Sequence, residues 1–358
     1  MRIGIPRETK EGERRVALLP PAVAELASAG HEVRVEAGAG AGVDCGDDAY
    51  LAAGARRADA SQAWSADLVV KVKEILEKDL PHVPQWATVF SFQHLPREPA
   101  RVRDLAARGI TAIAFEMVRD AHGQFPLLAP MSAIAGRMAV DIGAGLLGRD
   151  PDRVLVLGAG HAGRAAAAEA RRRGVGVVVL TRGERSRDAA RAQGFESALA
   201  STAAIEREAL AAELVVGAVF VPAQPTPKLL PRPLVRRMRR GSVIVDVSID
   251  AGGIAETSRP TTHADPVFVE EGVVHYCVAN MPAANPPEAT RAISSAVLPF
   301  VRTLADHGIE GAVLASPALR EAVLLWRGQV THPGIAAEAG LPFVALHEAM
   351  NARSGVRK

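Results

Sequence analysis

Residues 153–181, RVLVLGAGHAGRAAAAEARRRGVGVVVLT, constrain the fold more than any other stretch of the chain. An apolar run of strand length leads into G-A-G-H-A-G, an alanine-rich helical segment follows, and a second apolar run closes the unit. Such alternation builds a parallel sheet covered by helices. The glycine spacing has a physical reason. Gly158 permits a tight turn, Gly160 lets the backbone approach a pyrophosphate, and Gly163 lets the helix pack on the strand. The helix start then offers free N–H groups and a partial positive charge to the phosphates. Strand, turn, helix and second strand stand in order, which separates this motif from a glycine turn without a ligand.

The second strand ends in Thr181 and Arg182, with Arg185 and Arg187 close behind. An acid there would accept hydrogen bonds from the ribose hydroxyls and repel a 2′-phosphate. A threonine hydroxyl with guanidinium groups beside it suits a phosphorylated ribose. The expected cofactor is therefore NADP rather than NAD; the competing reading of the arginines is a solvated loop.

The rest of the chain repeats the alternation. Apolar runs at 2–5, 32–36, 67–73, 88–92 and 110–116 precede a long helical stretch at 130–148, and further runs lie at 213–219, 242–248 and 273–279. A second long helical segment, 286–308, leaves the last of them. At 358 residues the chain is long enough for two cores. The expected fold is α/β: two doubly wound Rossmann-like domains with a cleft between them, the nucleotide domain inserted in the substrate domain. Residues 1–127 and 287–358 form the expected substrate domain, and residues 128–286 the dinucleotide-binding domain.

Charge and cysteines narrow the class. The 42 basic and 40 acidic side chains leave a net +2, which gives no case for a nucleic-acid binder. Cys45 and Cys277 stand far apart in no metal-like spacing, so reduced thiols and no metal are expected. The N-terminal MRIGIPRETKEGERR has no apolar signal core, and no apolar run approaches a membrane span. A cytoplasmic protein without membrane or nucleic-acid partners is expected.

Several polar residues stand where open α/β sheets put ligands. Arg15 immediately precedes VALLP, where its head could reach from the edge of the lobe or be solvated. DLVVKVKE places Lys71 and Lys73 on one face of an expected strand, either for a ligand or to protect a sheet edge. His94 ends the run VFSFQH, and Asp250 follows SVIVDVSI before a Gly-Gly pair. Two cations and a His–Asp pair suit a small carboxylate undergoing hydride and proton transfer.

These stretches resemble the alanine dehydrogenase family, sibling to the soluble NAD-binding portion of proton-translocating transhydrogenase. MRIGIPRETKEGERRVALLP, HEVRVEAGAGAG, DLVVKVKE, PLLAPMSAIAGRMAV, GSVIVDVSIDAGGIAETSRPTTHADPVF and GVVHYCVANMP carry the resemblance and run through nearly the whole chain. It implies that Arg15 and Lys73 hold a substrate carboxylate, His94 is the general acid/base, and Asp250 assists water or ammonia chemistry. Ser132 and Asn280 match positions on the nicotinamide side. The implied reaction is reversible oxidative deamination of L-alanine, by a homo-oligomer. Departures are Thr181 in place of an acid, Phe92 where tyrosine is usual, Ala133 where an acid is usual, and the run NMPAANPPEAT. LLGRDPDRVLVLG also lacks a glycine-rich hairpin, which leaves a dimer beside the usual hexamer. Three other readings stay open: a biosynthetic dehydrogenase for another amino or imino acid, a hydride-exchange subunit, and a non-catalytic nucleotide-binding module.

Overall fold

The computed structural model describes residues 1–96, 98–221 and 225–352. The chain divides into two compact units, Met1–Pro130 with Asn285–Lys358, and Met131–Ala284. Residues 353–358, which the sequence reading assigns to the substrate domain, lie outside the described residues.

The first segment contributes strands β1 (Arg2–Ile5), β2 (Glu32–Glu36), β3 (Arg56–Ala58), β4 (Leu68–Val70), β5 (Thr88–Ser91) and β6 (Thr111–Ala114). The second unit contributes β7 (Arg153–Leu157), β8 (Gly176–Thr181), β9 (Glu196–Leu199), β10 (Leu214–Gly217), β11 (Val243–Asp246), β12 (Val267–Glu270) and β13 (Val273–Tyr276). The C-terminal segment returns β14 (Val323–Trp326) and β15 (Gln329–Val330) to the first unit.

The first unit is an eight-stranded sheet ordered β15-β14-β6-β5-β4-β1-β2-β3. Pairing is parallel from β6 to β3, and β14 is antiparallel to both its neighbours. The second unit is a seven-stranded sheet ordered β12-β13-β11-β10-β7-β8-β9, parallel except for the β12–β13 edge. Each sheet starts near its centre, winds outward one way, then crosses over and winds the other way. Both units are therefore doubly wound, with switch points between β1 and β4 and between β7 and β10.

Burial on both faces explains the unbroken apolar runs. Leu68–Val70, Leu214–Gly217 and Val243–Asp246 are buried at every position. The helix His161–Arg172 turns Ala166, Ala167 and Ala170 inward at zero exposure, small side chains that let it lie close on its sheet. The long helix Pro286–Ala315 breaks at Gly308, whose φ of 71° and ψ of 158° are not helical. The sequence reading ended its helix at that residue, and the chain resumes a helix beyond it.

Candidate active site

Ligands of open α/β sheets bind beyond the carboxyl ends of the strands, next to the switch point. In the first unit that region follows β1, β4, β5 and β6, and it collects an unusual density of buried charge.

Lys71 and Lys73 lie just past β4, which stops at Val70, so the expected shared strand face does not exist. Nor is β4 an edge needing protection, since β1 and β5 flank it. The two lysines have separate settings. Lys71 is 1% exposed, and its ammonium meets Asp79 Oδ2 at 3.0 Å, the Glu74 carbonyl at 3.3 Å and Glu8 Oε2 at 3.8 Å. Its charge is satisfied inside the fold. Glu8 also accepts the backbone N–H of Val72 at 2.5 Å and of Lys73 at 3.3 Å, which fixes the exit from β4. Burial, only partly offset by Lys71, raises the Glu8 pKa to about 7.

Lys73 is the opposite case. It is 6% exposed, its Nζ stands 6.0 Å from the centre of the Phe92 ring, and among the described residues no hydrogen bond or ion pair engages that nitrogen. Burial first, and the Arg15 charge second, lower its pKa, and the charges of Glu13 and Glu74 offset them only in part. Burying a charge with no directly bonded counter-ion is costly. Such a group marks a functional site when an anion is its natural complement.

Arg15 is 2% exposed, so it is neither solvated nor reaching from an edge. Its Nε and Nη2 donate to the two oxygens of Glu13 at 2.7 and 2.5 Å. Burial works to raise the Glu13 pKa, but the bonds from Arg15 prevail and hold it at about 2. The forked pair keeps the guanidinium plane fixed.

His94 follows β5 with φ of 48°, a left-handed conformation that costs a non-glycine residue about 1 kcal/mol or more. Glu116, just past β6, compensates: its carboxylate accepts the His94 N–H at 2.7 Å and the Gln93 N–H at 3.1 and 3.2 Å. The imidazole stacks on Phe92, with centroids 5.9 Å apart and planes 13° from parallel. His94 reaches solvent, yet surrounding protein first and the Lys73 ammonium second hold its pKa well below the usual value, at about 3. Phe92 thus carries both Lys73 and His94 against its ring.

The second unit holds the glycine turn. Gly158 has φ of 105°, and a Cβ there would lie 2.3 Å from the Ala218 carbonyl oxygen. A Cβ on Gly163 would lie 1.9 Å from the Gly158 carbonyl oxygen, while one on Gly160 would meet nothing within 4 Å. Two glycines are therefore demanded by the protein itself. The third leaves open space at the start of the helix His161–Arg172, which fits the close approach of a pyrophosphate.

At the end of β8, Thr181 is 2% exposed and its hydroxyl donates to the Gly183 carbonyl at 3.0 Å. The donor that the sequence reading offered to a ribose is used within the turn. Arg187 is tied to Asp188 at 2.9 Å and to Glu184 at 3.7 Å. Arg182 and Arg185 are exposed, and among the described residues neither has a hydrogen-bond or ion-pair partner.

Asp250 is exposed on the short turn Ile249–Ala251 beyond β11. Its loop is anchored from beneath. Asp246, fully buried, accepts from the Ser248 N–H at 3.1 Å, the Ile254 N–H at 2.7 Å and the Ser258 hydroxyl at 2.7 Å. Lys228 Nζ donates to the carbonyls of Gly252, Gly253 and Ala255 at 2.5, 3.1 and 3.0 Å. Ser132 is half-buried in the helix Ala129–Leu147, and Asn280 follows β13 with φ of 58°.

Cys45 and Cys277 are both free, and among the described residues no group of acids, cysteines and histidines could hold a metal ion. No helix among them is long and apolar enough to cross a membrane. Arg15, Lys73, His94 and the glycines stand out in the sequence as candidates. Glu8, Glu13, Glu74, Asp79 and Glu116, the acids that hold the cations and the histidine in place, do not stand out there.

A dinucleotide-type turn on one unit and an anion-seeking ammonium beside a histidine on the other make this a nicotinamide-dependent oxidoreductase. The comparisons narrow that class. Residues 4–135 match the family model "Alanine dehydrogenase/PNT, N-terminal domain" and residues 131–333 match "Alanine dehydrogenase/PNT, C-terminal domain". The chain belongs to the alanine dehydrogenase/PNT family. It is 41% identical to an alanine dehydrogenase of Halomonas elongata, covering 96% of this chain and 98% of that one. It is likewise 41% identical to an alanine dehydrogenase of Mycobacterium tuberculosis, with the same coverage. Among solved structures it is similar to an L-alanine dehydrogenase, with a TM-score of 0.90 and 37% identity over 94% of this chain and 98% of that one. A transhydrogenase from Sinorhizobium meliloti follows at a TM-score of 0.82 and 25% identity, over 93% of this chain and 99% of that one.

Proposed function

We propose that the chain catalyses the reversible oxidative deamination of L-alanine to pyruvate and ammonia, with NADP as the preferred cofactor. The observation that carries this reading is Lys73, a buried lysine whose ammonium has no direct hydrogen bond or ion pair among the described residues, packed with His94 against Phe92. A substrate carboxylate supplies the direct partner that Lys73 lacks, and Arg15 supplies a second cation.

In this reading the unit containing His94 binds the substrate and the inserted unit binds the cofactor. His94 is neutral at neutral pH and ready to take a proton. Carboxylate binding at Lys73 removes one of the influences that depress His94, so the substrate strengthens its own base. The base takes the proton released as Cα is oxidised and the imine is attacked by water. A bound nicotinamide supplies the hydride acceptor. Asp250 assists the water and ammonia steps. The glycine turn receives the pyrophosphate, Arg182 and Arg185 receive the 2′-phosphate, and Ser132 and Asn280 line the nicotinamide side. The reading includes a cytoplasmic homo-oligomer, either dimer or hexamer.

The test is the initial rate with L-alanine under alkaline conditions, comparing NAD and NADP at matched concentrations. Faster NADP reduction supports both parts. Faster NAD reduction keeps the reaction and overturns the cofactor, and binding of NADP without turnover overturns the reaction.

A further inference from the structure

Glu74 directly follows Lys73 and is 3% exposed. One of its oxygens, Oε1, accepts the Lys10 ammonium at 2.7 Å; the other, Oε2, is buried and has no hydrogen-bond partner. A buried carboxylate oxygen left unpaired costs about 1–3 kcal/mol or more. The ion pair with Lys10 alone does not account for it, because that pair needs only one oxygen.

The charges around His94 suggest what the second oxygen is for. Lys73 follows β4, Lys10 stands in the loop after β1, and Arg101 lies on the helix Pro99–Ala107. All three oppose a proton on His94, and Glu74 favours one. Glu116 faces the backbone of His94 and bonds its N–H. Glu74 in turn is held at a pKa of about 2: burial would raise it, but the Lys10 hydrogen bond and charge overcome that, and His94 adds to the lowering. Glu74 therefore stays ionised wherever His94 would titrate.

We propose that Glu74 is the positioning residue of His94: its unpaired Oε2 is the counter-charge that stabilises the imidazolium when His94 takes a proton, and Lys10 sets how much of that charge His94 receives. This rests on His94 being the acid/base of the proposed reaction. Unlike Glu116, which fixes the backbone, Glu74 acts on protonation. Lys10 lies on the more exposed side of the pair, so removing it leaves Glu74 with its full charge directed at His94.

Two substitutions should then move one titration in opposite directions. Glu74→Gln removes the counter-charge and lowers the His94 pKa by roughly one unit or more, while Lys10→Met raises it by a comparable amount. The experiment follows the His94 ring signal by NMR against pH in the full-length wild type, Glu74→Gln and Lys10→Met, with His94→Gln assigning the signal. The same proteins give pH profiles of kcat/KM for L-alanine. The expected order of His94 pKa is Lys10→Met, wild type, Glu74→Gln, from high to low, with the acid limb of the profile following it. An unchanged His94 titration, or displacement of both variants in the same direction, overturns the inference. The expected order in proteins that do not turn over alanine upholds it and defeats the proposed reaction instead.

Discussion

The Nζ of Lys73 stands 6.0 Å from the centre of the Phe92 ring, and among the described residues no carboxylate bonds it directly, although Glu13 and Glu74 attract its charge. A single aromatic contact returns about 0.5–2 kcal/mol, less than the cost of burying a charge. Lys73→Met, similar in length and without the charge, should therefore leave stability unchanged or raise it by about 1 kcal/mol. Urea unfolding checks this, and a loss of several kcal/mol would mean that Lys73 has an internal partner.

Glu116 tests how far the histidine depends on its backbone. The carboxylate satisfies the N–H groups of Gln93 and His94 and holds the latter at φ of 48°. Glu116→Ala leaves both donors unpaired and should cost about 2–4 kcal/mol of stability. It should lower kcat about tenfold or more, with little change in the KM for alanine, because Lys73 and Arg15 are untouched. Kinetics at a temperature where the variant remains folded separates the two effects.

The sequence showed the cations and hid their partners, for a physical reason. Gly158 and Gly163 are legible because a turn and a tight packing forbid a side chain, and Gly160 completes the spacing with open space that the protein itself does not fill. Strands such as Arg2–Ile5 and Arg153–Leu157 are legible because burial on two faces requires an apolar run. Glu8 and Glu13 stand in a stretch of charge with no period, where nothing distinguishes a buried acid from a solvated one. Lys71 and Lys73 are the same residue type two positions apart, yet Asp79 bonds one and, among the described residues, no hydrogen bond or ion pair engages the other. That difference depends on the turn after β4, which no alternation rule fixes. Likewise β3, β9, β12 and β15 are short strands at sheet edges, where the apolar signal fades, while β14 is buried and apolar but only four residues long and directly follows a short helix.

The arginines after β8 should behave unequally. Arg182 has no partner among the described residues, and Arg187 is already paired with Asp188 and Glu184. Arg182→Ala should raise the KM for NADP about tenfold and leave that for NAD nearly unchanged. Arg187→Ala should do neither. Equal losses for both cofactors at Arg182 would count against a 2′-phosphate contact.

Lys228 makes three hydrogen bonds to the carbonyls behind Asp250. Lys228→Met strands those acceptors and should lower stability by about 1–3 kcal/mol. In the proposed reaction kcat should fall with it, since Asp250 loses its anchored loop. Wild-type melting temperature and kcat would show that the three bonds are dispensable.

Carboxylate binding should be coupled to proton uptake. Lys73 helps depress the His94 pKa, which lies near 3 in the free protein. A carboxylate that neutralises Lys73 raises that value, so the complex binds more protons than the free protein between the two pKa values. Calorimetry of pyruvate binding in buffers of different ionisation enthalpy should show uptake on the acid side, fading as the pH rises above the pKa of the complex. Uptake should vanish in His94→Gln.

The central claim is that Lys73 is the seat of the substrate carboxylate. Its most direct test is the dissociation constant of pyruvate for the wild type and for Lys73→Met, measured by calorimetry with cofactor present. Loss of a buried charge-assisted pair should weaken pyruvate binding about a hundredfold or more, with cofactor affinity unchanged. Equal pyruvate affinity in the two proteins would contradict the account.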